Sequence, residues 1–191
     1  LLGLTGPLHA RLAGLARPIA YGGAAIGSTV LLLVGLAGLI DANPRLATLP
    51  VGLPWIGAHF RLDPLSGFFM AVIDLGGLMA SLYGLGYGRH EHDPGRVLAF
   101  FPPFLAAMNM VLLADDAFVF LLSWEFMSLA SWLLVLAHHR DPDNRHAGYV
   151  YLVMAGCGTF ALLLAFGVLA GADGGYAFGS IRASAPSAGL A

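Results

Sequence analysis

The stretch FLLSWEFMSLASWLLV, residues 120–135, sets a carboxylate, Glu125, inside a run apolar enough to cross a bilayer. An ionised carboxylate at the centre of a membrane costs at least about 2–3 kcal/mol, so an acid retained there is first of all a candidate for chemistry. In a helix starting near Ala117, Glu125 lies about 12 Å along the axis, close to mid-membrane. Ser128, at i+3, shares its face, and Trp132, at i+7, continues the same stripe. Desolvation favours the neutral acid and a nearby cation favours the charged form, so a carboxyl in this setting can load and release a proton. The competing reading is a neutral, hydrogen-bonded glutamic acid that only cements helix packing.

Other polar residues inside apolar runs are weaker candidates for the same chemistry. Asp74 is central in SGFFMAVIDLGGLMASLY. The adjacent Gly76 and Gly77 permit close helix approach, so a packed structural hydrogen bond rivals a proton role. Asn109, in AAMNMVLL, reads as interhelical glue. His138 and His139 end the Glu125 helix, where the helix dipole already accounts for cations. Because histidine titrates near neutrality, the pair is also a candidate proton-collecting group at the mouth of a pathway. The spacing of His138, His139, Asp141, Asp143 and His146 fits no metal-ligand pattern, and no metal is expected. Asp115 and Asp116 read as N-capping acids. Cys157, the single cysteine, lies in an apolar stretch and reads as a small buried hydrophobe.

The elements that must position these residues follow from composition. The 191 residues are 58% hydrophobic and 10% charged, far below the roughly one-quarter charged content of soluble domains. An all-α polytopic membrane protein is expected. All basic residues are arginine, the net charge is -2 and no basic run occurs, which argues against a nucleic-acid partner. There is no cysteine cluster, dinucleotide fingerprint or paired-histidine helix motif, so no cofactor and no catalytic centre is expected. About 20 apolar residues are needed per span. Five full spans qualify, at residues 19–40, 64–87, 97–114, 117–137 and 147–170. The opening Leu1–Leu8 reads as the end of a truncated first helix, divided from the next span by HARLAGLARP. Pro102 and Pro103 are expected to kink the 97–114 helix and free carbonyls in it. The tail from residue 171 is polar and too Gly-rich to span.

Arginines fall six to three between alternate loops, with Arg11, Arg17, Arg89, Arg96, Arg140 and Arg145 on one side and Arg45, Arg61 and Arg182 on the other. The positive-inside rule places the first set in the cytoplasm. In WIGAHFRL, residues Ile56, Ala58, Phe60 and Leu62 alternate with smaller or polar ones, which predicts a short external β-hairpin. Trp55 suits an interfacial anchor.

Together, WEFMSLASWLLV, the preceding LLADDAFVFLLS and the following AGYVYLVMAGCGTFALLLAFGVL resemble the antiporter-like, proton-translocating membrane subunits of respiratory complex I. Within them the chain is most similar to component B of hydrogenase-4 and formate hydrogenlyase-type complexes. The resemblance runs from FRLDPLSGFF to GGYAFGSIRA and is specific in the WE-x-x-S core.

The resemblance implies a fragment of a larger inverted-repeat fold, in a multi-pass protein of a prokaryotic inner membrane. Its implied partners are other membrane subunits and a peripheral redox arm. The glutamate role of the first half-channel falls on Glu125. The family's lysine partner has no counterpart in this lysine-free chain and is expected beyond residue 191. Where some relatives carry a polar or charged residue in the next helix, this chain has AGCGT, which puts a relay through that helix in doubt. Asp74 is not part of the family pattern. The implied function is to couple redox energy to proton transfer through Glu125. Two alternatives stay open: a cation/proton antiporter subunit of the Mrp type, and a non-transporting scaffold for the redox arm.

Overall fold

The computed structural model describes residues 6–41, 43–50, 57–87, 95–171 and 175–184. Helix α1 spans Gly6–Ile40 and leads into strands β1 (Arg45–Leu49) and β2 (Ala58–Leu62). Helices α2 (Pro64–Tyr87), α3 (Gly95–Leu113) and α4 (Ala117–Val135) follow, then a 3-10 turn at Leu136–His138, α5 (Pro142–Ala170) and the short α6 (Phe178–Ser184). Five of these helices are long and apolar enough to cross a membrane. The strands form an antiparallel hairpin in which Arg45 faces Leu62 and Leu49 faces Ala58. Trp55 and Arg89 lie outside the described residues.

The helices pack in sequence with alternating direction. The Tyr21 ring on α1 sits against Gly84 of α2, while Gly35 further along α1 meets Gly67 near the start of α2. Likewise α3 packs antiparallel on α4, joined at one end by Arg96 Nη1 donating to the Leu136 carbonyl at 3.2 Å. That guanidinium satisfies one of the carbonyls a helix C-terminus leaves open. At the Gly35–Gly67 crossing the contact is backbone to backbone. A Cβ at position 67 would lie 2.7 Å from the Gly35 carbonyl oxygen, and one at position 35 would lie 2.8 Å from that of Gly67. Only hydrogen fits at either place, so the two backbones touch, as small residues allow in membranes. Gly67→Val forces α1 and α2 apart and is expected to cost about 1–3 kcal/mol, read as a lower melting temperature of the detergent-solubilised full-length protein.

Helix α1 runs unbroken through Pro18. This corrects the expected break at HARLAGLARP: residues 9–18 are helical and continuous with the span, and residues 6–8 of the supposed partial first helix belong to it, residues 1–5 lying outside the described ones. Leu, Ala and Arg are strong helix formers, and a single proline removes only one donor. Helix α5 also begins earlier than residue 147, because Asp141 accepts from the Asp143 N–H at 3.0 Å and Pro142 occupies the first turn. Helix α3 continues through Pro102 and Pro103. Those prolines, with Leu98 and Ala99, line a groove of about 600 Å³ against Ala20 and Gly23 of α1. The carbonyls the prolines leave without donors belong to Leu98 and Ala99, four residues back.

The start of α2 shows local chemistry setting a helix end. Asp63 Oδ1 accepts from the Ser66 N–H and hydroxyl at 2.9 and 2.8 Å, and the Asp63 N–H donates to Ser66 Oγ at 2.9 Å. This is a reciprocal capping box followed by proline at the first helical position. The Ser66 backbone N–H, more than any other group, holds the Asp63 carboxyl below the usual aspartate range, helped by the Ser66 hydroxyl and the Arg61 charge. A carboxyl depressed in the folded state adds stability that is complete above its unfolded value near about 4 and is lost as pH falls through the lower folded value. Asp63→Ala is therefore expected to cost about 0.5–2 kcal/mol at neutral pH and less in strong acid, measured by thermal melts across that range.

Candidate functional site

The beginning of α4 is fixed before its carboxylate is reached. Asp116 is fully buried, and its Oδ1 accepts from the Val119 N–H at 2.7 Å to cap the helix. Its other oxygen accepts from the His59 N–H of β2 at 2.8 Å and lies 3.3 Å from His59 Nδ1. The neighbouring backbone extends the junction: the Asp115 N–H donates to the His59 carbonyl, the Ala117 N–H to that of Tyr176, and the Phe178 N–H to that of Asp115. Phe178 then packs on Phe120 of α4 and Phe166 of α5. Hairpin, α4 and α6 are thus locked together at one end of the bundle. Asp115 does not cap; it approaches Arg182 at 3.7 Å.

From that anchor Glu125 lies about 12 Å along α4. It is half-buried, and its Oε1 accepts a hydrogen bond from the Thr159 hydroxyl of α5. Thr159 is itself near the middle of its helix, so the bond joins α4 and α5 at mid-height. Ser128 is buried one turn beyond Glu125, but the carboxyl's bond goes to Thr159. Two more polar atoms on α4, Ser123 Oγ and Trp124 Nε1, are buried without a hydrogen-bond partner.

The remaining sequence candidates fall elsewhere. His138 closes the 3-10 turn and His139 follows it, about 20 Å along the axis from Glu125. His139 Nδ1 is buried and unpartnered, while the His138 carbonyl accepts from the Asn144 side chain. Asp74 lies between α1, α2 and α3, where the Asn109 amide donates to it at 3.2 Å. Cys157 is exposed, which corrects the expectation that it is buried. It belongs to a helix whose outer face meets no other described element: Phe160, Leu164 and Val168 are 70%, 71% and 80% exposed. Thr159 escapes a sequence reading because it sits in a run of small residues; its signal is the one serine or threonine hydroxyl in a long apolar helix.

Residues 114–188 match the family described as NADH:quinone oxidoreductase/Mrp antiporter, transmembrane. A relative, hydrogenase-4 component B of Escherichia coli strain K12, is 38% identical over 133 residues, covering 69% of this chain and 20% of its own. The chain belongs to the antiporter-like membrane subunits of the complex I superfamily. An uncharacterized protein of Mycobacterium tuberculosis strain H37Rv is 41% identical over 164 residues, 82% of this chain and 26% of that protein. Among solved structures, a chain of the membrane-bound sulfane sulfur reductase, an archaeal respiratory membrane complex, superposes with a TM-score of 0.70 at 27% identity, over 88% of this chain and 29% of that one. The chain spans about a fifth to a quarter of the length of these curated relatives.

Proposed function

We propose that the chain is the acid-bearing part of a proton-translocating subunit in a hydrogenase-4-like or NADH-quinone-oxidoreductase-like complex of a prokaryotic inner membrane, with Glu125 as its proton carrier. The observation that carries this reading is the Glu125–Thr159 bond, which holds a membrane carboxyl at mid-height between two spans. Thr159 orients the carboxyl and can pass a proton through its hydroxyl, while Ser123, Trp124 and Ser128 supply further polar groups along α4. The outward face of α5 leaves room for the helices that complete the subunit, and a cation carried there sets the charge of Glu125. Withdrawal of that cation lets the carboxyl take a proton, and its return expels the proton. Redox energy from a peripheral arm drives the movement.

The test uses the full-length protein in its native complex within sealed vesicles, with donor oxidation and internal pH followed separately. Proton movement tied to donor oxidation and independent of sodium is the expected result. In Thr159→Val, proton flux is expected to fall several-fold with donor oxidation retained. Movement that requires sodium selects the Mrp-type cation/proton antiporter instead. Donor oxidation with no ion movement makes the chain a scaffold for the redox arm.

A further inference from the structure

A second buried polar cluster lies between α1, α2 and α3, away from Glu125. Asp74 is 0% exposed and Asn109 is 3% exposed. Asn109 Nδ2 donates to Asp74 Oδ1 at 3.2 Å and to the Leu105 carbonyl at 3.1 Å, so both amide hydrogens are committed. Two acceptors remain with no partner: Asp74 Oδ2 and Asn109 Oδ1. The Ser28 side chain of α1, 3% exposed, borders the same cluster. Packing closes the cluster, since a Cβ at Gly77 would lie 2.8 Å from Ser28 Oγ and 3.1 Å from Leu105 Cδ1.

An ionised carboxylate here would be a buried charge with no cation beside it among the described residues, in a cluster whose amide oxygen also lacks a donor. Both faults carry large penalties in a low-dielectric interior. One proton on Asp74 Oδ2 removes them together. It makes the carboxyl neutral and supplies a donor for Asn109 Oδ1, as the reciprocal of the amide-to-acid bond. A sodium ion suits the cluster less well, because hard cations take about six oxygen ligands and the side chains offer the two Asp74 oxygens, Asn109 Oδ1 and Ser28 Oγ.

Among the described side chains, the other titratable or charged groups of the packed elements lie along the helices away from the cluster, Arg17, Tyr21, Tyr83, Tyr87 and Arg96 on one side of it, with Tyr21 about two turns from Ser28 on α1, and His59, Arg61 and Asp63 toward the hairpin. We propose that Asp74 is a proton-binding site of its own, holding its proton in a reciprocal acid–amide pair with Asn109 that joins α2 to α3. Loss of the proton leaves carboxylate facing amide oxygen and loosens that joint. The site is independent of the role given to Glu125.

Infrared spectroscopy of the full-length protein in its membrane complex, at neutral pH and without sodium, tests this. A protonated-carboxyl C=O band that shifts in D₂O is expected in the wild type and in Glu125→Gln, and its loss is expected in Asp74→Asn. Should Asp74→Asn fail to assemble, Asn109→Ala serves: the band must persist but move to higher frequency as its hydrogen bond is lost. A spectrum unchanged by Asp74→Asn, or a band unmoved by Asn109→Ala, overturns the proposal. So does a carboxylate at position 74 that becomes protonated only below pH ~5, near the ordinary carboxyl range. Suppression of the band by sodium at constant pH makes the cluster a cation site and overturns it as well.

Discussion

Glutamine at position 125 is expected to lower proton translocation through this subunit by at least about 10²-fold while leaving assembly and donor oxidation intact. The substitution keeps the size of the side chain and an oxygen that can accept from the Thr159 hydroxyl, so the contact between α4 and α5 survives. It removes the ability to exchange a proton. If Glu125 only cemented packing, Glu125→Gln would be nearly silent and Glu125→Leu harmful to stability. If it carries protons, both abolish flux, and Glu125→Asp, which withdraws the carboxyl from Thr159 by one methylene, retains part of it. Internal pH in sealed vesicles, measured alongside donor turnover, separates these patterns. Unchanged pumping in Glu125→Gln sinks the assignment.

Asp116→Ala is expected to be the most destabilising single substitution at the hairpin end, at about 2–4 kcal/mol. The alanine removes the α4 cap and leaves the Val119 and His59 N–H groups without their acceptor. Asp116→Asn retains one carbonyl oxygen and is expected to recover roughly half of the loss, because one atom cannot replace two oxygens facing different elements. Melting temperatures of the solubilised full-length protein compare the pair. Limited proteolysis gives an independent reading, with cleavage in the 45–62 region rising in Asp116→Ala. Equal stability of Asp116→Ala and the wild type would show that the junction is held by its aromatic and backbone contacts alone.

Much of the architecture was legible because a bilayer imposes it. Apolar runs of about 20 residues, punctuated by pairs such as Asp115–Asp116 and by polar turns, can only be spans, and the alternation through Ala58, Phe60 and Leu62 marked a strand. The arginines within residues 9–18 misled, because charge marks where a helix leaves hydrocarbon and says nothing about where its backbone hydrogen bonds stop. Asp116 was read for its local role alone; its bond to His59 joins residues 57 positions apart, and nothing in either local sequence announces it. Glu125 stood out by cost, since one charge in a hydrophobic span is conspicuous. Thr159 did not, because a threonine inside a membrane helix can satisfy its hydroxyl on its own backbone, as Thr29 does with the Ala25 carbonyl at 2.7 Å. The exposure of Cys157 was hidden for a different reason: apolar composition cannot tell a face packed on protein from one left open.

The bond between Asp116 and His59 also orders events during synthesis. The hairpin leaves the ribosome first, yet the carboxylate that receives it is made 57 residues later, and the Phe178 amide that donates to Asp115 later still. His59 of β2 must therefore pass an interval without its carboxylate partner, until the start of α4 has been made. The cap that positions the Glu125 helix is thereby also the latch that ends this exposed interval.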